Sequence, residues 1–478
     1  MSAVEIRLED VRFYMRNVHT RMPFKYGAAV LTAVPILHVV AHGELKNGTP
    51  VKGVAADILP PKWFDKDPAK SYEDNVVDLL WAARAARSAY LDAARSPASF
   101  FAIWQDGYAQ TVSAGDAHGL NRLTAVHGST LMERALIDAV GCGVGASYFE
   151  LLKANLLGLD LGAIHPELQG VEPSQVIGAA PLAQLHVRHT VGLADPIVPS
   201  DIAPEERLDD GLPQSLADCV ECQGLTYFKV KVNGDLEADL ARLAAIAELL
   251  DGRDAEYKVT LDGNEQYREM DALIGLIEAL AAEQPRLYER ILYVEQPLER
   301  SVALDAALEP GIRAAAAHRP LLIDESDDAQ DTFRQALALG YEGVSSKACK
   351  GLVKALANLA LARQREGCFL SGEDLMNLPV VPLHQDLAHV AALGIGHVER
   401  NGHHYVRGLD HLTTDERAAC LATHGQLYRE MDSGLVALDV REGKIEVGSL
   451  QVAGLGVGVS VAVDEMVELE EWEFASLA

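Results

Sequence analysis

Six charged residues stand where short apolar runs end. Lys229 and Lys231 close Tyr227-Phe-Lys-Val-Lys231, Asp262 closes Val259-Thr-Leu-Asp262, Glu295 closes Leu292-Tyr-Val-Glu295, Asp324 closes Leu322-Ile-Asp324, and Lys347 closes Val344-Ser-Ser-Lys347. Carboxylates from three such runs, brought to one point, make the hard, oxygen-rich ligand set that Mg²⁺, or Mn²⁺ in its place, accepts while keeping positions open for substrate oxygens. Lysines beside it can take a proton from carbon if their pKa is lowered, and a nearby cation or a second lysine pushes in that direction. The chemistry this composes is removal of a proton alpha to a carboxylate. It leaves a dianionic enediolate, and a cation that gains affinity as this charge develops lowers the barrier.

These residues can meet only if their runs are neighbouring strands. Beyond about residue 180, apolar runs of about five to seven residues alternate with helical segments, the signature of repeated βα units. The expected strands are Gln184–Thr190, Thr226–Val232, Tyr257–Leu261, Ile291–Glu295, Leu321–Asp324, Gly343–Lys347, Cys368–Ser371 and a weaker one near Val390–Gly394. After the second, Asp235 can cap a helix whose apolar face is Leu236, Leu240, Leu243 and Ile246 and which Asp251-Gly252 ends. Eight units in about 230 residues fit a closed TIM-type (β/α) barrel, and no G-x-G-x-x-G follows a strand as a dinucleotide fold requires.

In such a barrel the site lies at the C-terminal strand ends, where these charges stand. Lys229 and Lys231 are two apart and share the inward face of their strand. The second and sixth strands are opposed in a ring of eight, so Lys231 and Lys347 would cover the two faces of a bound carbon. Asp324 and Glu325 compete for the third metal position, because neighbours on a strand point oppositely.

Ahead of the barrel, residues 1 to about 60 read as β-rich, with turn signals at Asn47-Gly48 and Lys52-Gly53, and helices follow over Ser71–Arg95 and Ser129–Leu157. From about Ser433 the chain returns to alternation with glycines, as in Gly454-Leu-Gly-Val-Gly-Val-Ser460.

The bulk numbers narrow the function. With 478 residues, 49% hydrophobic and 23% charged, the chain has an ordinary globular balance. Its 70 acidic against 41 basic residues give a formal charge of −29, which repels nucleic acid and anionic lipid. Neither a secretory signal nor a membrane span is expected, because charges interrupt every apolar stretch. The six cysteines are dispersed, as in a reducing cytoplasm. Cys219-Val-Glu-Cys222 has the CxxC form, but no second pair or nearby histidine accompanies it, and it reads as two cysteines on a helix.

Taken in order, K-x-K, D-x-N, E-Q-P, D-E-S and the sixth-strand lysine resemble the enolase superfamily, and most closely its muconate-lactonizing-enzyme-like branch (the mandelate racemase/muconate lactonizing enzyme family). The pattern along the chain gives an α+β domain over 1–175, a barrel over 176–432 and a C-terminal segment, 433–478, returning to the first domain, which the resemblance makes a capping domain longer than the family norm. The resemblance implies Asp262, Glu295 and Asp324 as metal ligands, which favours Asp324 over Glu325. Lys231 and Lys347 would be the acid/base pair, with Lys229 assisting at the substrate carboxylate. Met132-Glu-Arg-Ala-Leu-Ile-Asp-Ala-Val-Gly-Cys-Gly143 looks like the family's last capping-domain helix, and Arg21-Met-Pro-Phe-Lys-Tyr-Gly27 is similar to its substrate-closing loop. Phe24 and Tyr26 in that loop, and Glu373 and Asp374 at the seventh strand end, are candidate substrate contacts. His397, His403 and His404 cluster beyond the eighth strand without a role in the chemistry.

The expected activity is racemisation, epimerisation or cycloisomerisation of a small carboxylate by a homo-oligomer. An acid-sugar type dehydratase built on the same metal site is the alternative. A non-catalytic barrel would be expected to lack part of the ligand set, and a metal-dependent hydrolase would be expected to show H-x-H at the first strand, where His186-Val-Arg-His189 stands.

Overall fold

The computed structural model describes residues 2–26, 29–253 and 255–477. The N-terminal unit is an antiparallel sheet, Glu5–Tyr26, Ala29–Leu45 and Pro50–Ile58, with three helices, Tyr72–Ala93, Phe100–His118 and Arg122–Val144, on its face. Ser71 opens the first helix by a reciprocal cap with Asp74, and Asn121 caps the third. The helix expected over Ser129–Leu157 starts earlier and stops at Gly145, whose φ of 69° is left-handed, before a short helix, Tyr148–Lys153. Arg122–Val144 is buried along nearly its whole length. It lies so close to the sheet that a Cβ on Gly53 would sit 2.0 Å from the Ala135 carbonyl oxygen, so only glycine fits there.

The barrel is a closed ring of parallel strands: Gln184–Val191, Tyr227–Lys231, Lys258–Asp262, Ile291–Glu295, Leu321–Ile323, Gly343–Ser346, Phe369–Gly372 and His397–Arg400, the last pairing back onto the first. The first seven stand within a residue or two of expectation. The eighth does not: Val390 to Leu393 finish a helix, Val381–Leu393, and the strand follows it. That helix is buried on every side, its polar residues His384, Gln385, Asp386 and His389 included.

The register puts Lys231 beside Asp262 and Asp262 beside Glu295, so three strand ends deliver charge at one level. The C-terminal segment joins both units. Lys444–Glu446 pairs antiparallel with the first barrel strand, and Val467–Glu468 pairs with Met15 and Tyr14 of the first cap strand. The Trp472 indole and Asn17 close that contact at 3.0 Å. Between them Gly454–Ser460 forms no strand; Gly454, Gly456 and Gly458 all take positive φ, which breaks the expected alternation into turns. Among the described residues no helix is long and apolar enough to cross a membrane.

Candidate active site

The strand-end residues meet in the barrel mouth, all of them buried. Lys229 Nζ stands among four carboxylates, 2.8 Å from Glu295, 2.8 Å from Glu373, 3.0 Å from Glu399 and 3.0 Å from Asp262. Lys231 Nζ donates to Asp262 Oδ2 at 2.5 Å, and Lys347 Nζ to Asp324 Oδ2 at 2.6 Å. Lys350 reaches Asp324 as well, 3.1 Å from its carbonyl oxygen. Just past the fifth strand, Asp324 faces these lysines, while Glu325 faces Asn264.

The loops leaving the strands are strained to hold this arrangement. Asn264, Glu265, Gln296 and Met376 take left-handed φ of 42°, 69°, 34° and 57° without being glycine. Asn264 donates its backbone N–H to Asp262 Oδ1, and the Gln296 side-chain oxygen accepts from the backbone N–H groups of Asp324 and Ser326. Both residues thus position carboxylates, and Asn264 also lines the cavity.

Burial opposes every charge here, and the outcome depends on neighbours. For Lys229 the carboxylates outweigh burial and hold the ammonium well above its usual pKa. Lys347 is likewise raised, burial and Lys229 being overcome by Asp324. Lys229 lowers Lys347, as a second lysine is expected to, but the Asp324 carboxylate at 2.6 Å outweighs it. Asp262 and Asp324 are lowered against burial by their lysines. Glu295 goes the other way: burial, then Asp262 and Glu373, push it well above the carboxylate range, and Lys229 does not compensate.

The donor set fits a hard divalent cation. Glu295 Oε2 is buried without a hydrogen-bond partner among the described residues, and its raised pKa means that the pocket lacks positive charge at that oxygen. Asp262 and Glu295 pair with Lys229, Asp262 also with Lys231, and Asp324 with Lys347, since in a dry site each carboxylate takes the nearest ammonium. Among the described residues, the group of three ligand types whose atoms do lie within 4.8 Å of one another is His189, Cys219 and His404.

The cap supplies the other wall. Phe24, Tyr26, Leu31, Ile58, Pro60 and Trp63 face Lys229, Lys231, Asp262, Asp324 and Lys347 across a cavity of about 40 Å³. The Trp63 ring lies over the Lys347 ammonium, 4.5 Å from its centroid. Phe24 stacks on Tyr405 at 4.2 Å, the Tyr26 hydroxyl donates to Pro61, and Arg21 pairs with Asp210 at 2.6 Å and donates to the His404 carbonyl at 3.1 Å. Gly27, the end of the expected lid, lies outside the described residues. A larger cavity of about 460 Å³ lies beside the barrel, against Arg400 and His403, but none of the strand-end carboxylates or lysines lines it.

Of the two seventh-strand candidates, Asp374 lines the cavity, where it is paired with Arg400. Glu373 lies beneath it, paired with Arg188 and Lys229. Glu399 and Trp63 were missed by sequence reasoning. Glu399 sits in His397-Val-Glu-Arg400, a strand placed elsewhere, and Trp63 comes from the cap loop that Arg300 holds by its carbonyls.

No family model matches this sequence, and no curated protein does. Solved structures do match in fold. An N-succinyl Arg/Lys racemase from Bacillus cereus aligns with a TM-score of 0.61 at 16% identity, over 96% of this chain and 96% of that one. A dipeptide epimerase from Cytophaga hutchinsonii, complexed with Mg and D-Ala-L-Val, gives 0.60 at 14% identity, over 97% and 99%. A mandelate racemase/muconate lactonizing protein from Herpetosiphon aurantiacus gives 0.59 at 17% identity, over 95% and 99%. The fold is the enolase-type barrel with its capping domain, and its structural neighbours are members of the mandelate racemase/muconate lactonizing branch of that superfamily.

Proposed function

We propose that this chain is a Mg²⁺-dependent enzyme that removes a proton alpha to a carboxylate and leads on to racemisation, epimerisation or cycloisomerisation. The observation that carries the reading is the pair Lys231 and Lys347, set on opposed strands of one ring and lining one cavity with Asp262 and Asp324. Asp262, Glu295 and Asp324 would hold the cation, which when bound supplies charge to stabilise the enediolate. Lys231 and Lys347 hold or take the proton, each from its own face. Phe24, Tyr26 and Trp63 exclude water, and Lys229 keeps Glu295, Glu373 and Glu399 together beneath the substrate carbon.

The lining favours the isomerase outcomes over an acid-sugar dehydratase. Phe24, Leu31, Ile58, Pro60, Trp63, Leu375 and Met376 suit a carboxylate with an apolar portion.

Amino-acid derivatives, dipeptides and acid sugars screened in deuterated water with Mg²⁺, read by mass increase, test this. Exchange that needs Mg²⁺ and is abolished by EDTA is the expected result; exchange undiminished in metal-free protein removes the metal from the reading. Lys347→Ala should stop exchange from one stereoisomer and Lys231→Ala from the other. Loss from both isomers in one variant alone would identify a single base and turn the reading towards dehydration or cycloisomerisation.

A further inference from the structure

Outside the barrel, between its first and eighth strands, three side chains meet that this chemistry does not use. Arg188 and Thr190 face inward, to Glu373 and Glu399, so His189 between them faces out. Cys219 comes from the following helix, Leu216–Gln223, and His404 from the turn of helix Gly402–Tyr405 beyond the eighth strand. All three are buried, and one ligand atom from each lies within 4.8 Å of the other two. Cys219 Sγ is 3.6 Å from His404 Nδ1. A tetrahedral ion with metal–sulfur of about 2.3 Å and metal–nitrogen of about 2.0–2.1 Å sets a sulfur–nitrogen edge of roughly 3.5 Å.

The surroundings are those of a ligand cluster. His404 turns its other nitrogen, Nε2, towards Asp195 Oδ2 at 4.0 Å, and Asp195 is itself held by the Tyr405 hydroxyl at 2.6 Å. This is the order of a carboxylate behind a metal-bound imidazole. His189 Nδ1 lies 3.4 Å from His403 Nε2. Burial keeps His189 and His404 neutral, each down to about 3, and neutral imidazole is the form that ligates. Burial pushes the Cys219 thiol up, and only a cation close to the sulfur would reverse that.

We propose that His189, Cys219 and His404 form a second metal site, for a borderline-soft divalent ion of the zinc class, with Asp195 orienting His404. Binding forms one metal–sulfur and two metal–nitrogen bonds and releases the Cys219 proton to solvent, with no change of oxidation state. The His404 carbonyl accepts from Arg21 and Tyr405 stacks on Phe24, so the ion would fix the turn on which the cap loop rests.

The test is a Co²⁺ titration of the chelator-stripped full-length chain. One equivalent should bind with a thiolate-to-cobalt charge-transfer absorption and release of one proton. Cys219→Ser should abolish the absorption and weaken binding at this site by 100-fold or more, and Asp195→Asn should weaken it by about 10-fold. Glu295→Gln and Cys222→Ser should keep the absorption, which separates this site from the barrel carboxylates and from the neighbouring thiol. Should Cys219→Ser fail to fold, His404→Gln serves, judged by circular dichroism before titration. No thiolate absorption in the folded wild-type chain, or an absorption that survives Cys219→Ser, overturns the proposal.

Discussion

Charge is buried in two regions of this molecule, and it is satisfied differently in each. In the cap helix Arg122–Val144 the partners are mostly backbone. Glu133 accepts from the Val353 N–H at 2.7 Å and the Trp104 indole at 3.1 Å, and Asp138 accepts from the Val54 and Leu455 N–H groups at 2.9 and 2.8 Å. Arg134 donates to the Ala56 carbonyl at 3.0 Å as well as pairing with Asp57. Such partners cannot leave without moving the chain, so these charges rivet the helix to the cap sheet, to the C-terminal segment and, through Glu133, to the barrel. In the barrel mouth side chains satisfy one another, Lys229 serving four carboxylates while Glu295 keeps an unpartnered oxygen. Those pairings can be exchanged for a ligand, and that separates a site from a joint.

The contrast breaks most visibly at Asp57. Asp57→Ala leaves the Arg134 charge buried and unpaired, and urea unfolding should show a loss of about 3–5 kcal/mol. At the mouth the opposite is expected: Glu295→Gln should cost ~10³-fold or more in exchange rate while leaving the melting temperature level or higher, since it removes a repelled carboxylate. A fall in stability as large as that of Asp57→Ala would place Glu295 among the rivets.

A pH measurement sharpens the same point. Burial raises Glu133 to about 7 and Asp138 to about 6, with backbone donors offsetting only part of the cost. A carboxyl raised in the folded state binds more protons there than in the unfolded chain between the two pKa values. Its stabilisation is complete below the unfolded value of roughly 4 and is lost as pH rises through the folded value. Glu133→Gln lacks this term, so its stability relative to wild type should rise between about pH 4 and about pH 7; a difference constant with pH argues against a strained Glu133. The smallest effect is expected at the lid. Tyr26→Phe loses the hydrogen bond to Pro61 and should cost about 1 kcal/mol or less, read as faster proteolysis of the 21–26 segment. Protection of that segment by a substrate analogue should persist in the variant.

The strand ends were legible because each is a short apolar run closed by a charge, and barrel topology turns their order into adjacency. The helix Val381–Leu393 hid the eighth strand, since its apolar end, Val390 to Leu393, reads like a short strand, and Glu399 went with it. Trp63 could not be placed because its partner, Lys347, lies in the other unit. Cys219 looked isolated for the same reason. Its histidines are neighbours only because the first and eighth strands close the ring.

The strand pair between Met15 and Val467 also has a meaning in time. Contacts such as Asn17 to Ser476 span 459 positions, so the cap sheet is made first and finished last. While a ribosome is still building the barrel, the outer edge of the first strand stands open, with its backbone groups free to pair with another nascent chain. The segment that covers it must first run past the barrel, where Lys444–Glu446 adds to the first strand. Removing residues 467–477 should therefore expose an aggregation-prone edge in newly made protein more than it disturbs the finished active site.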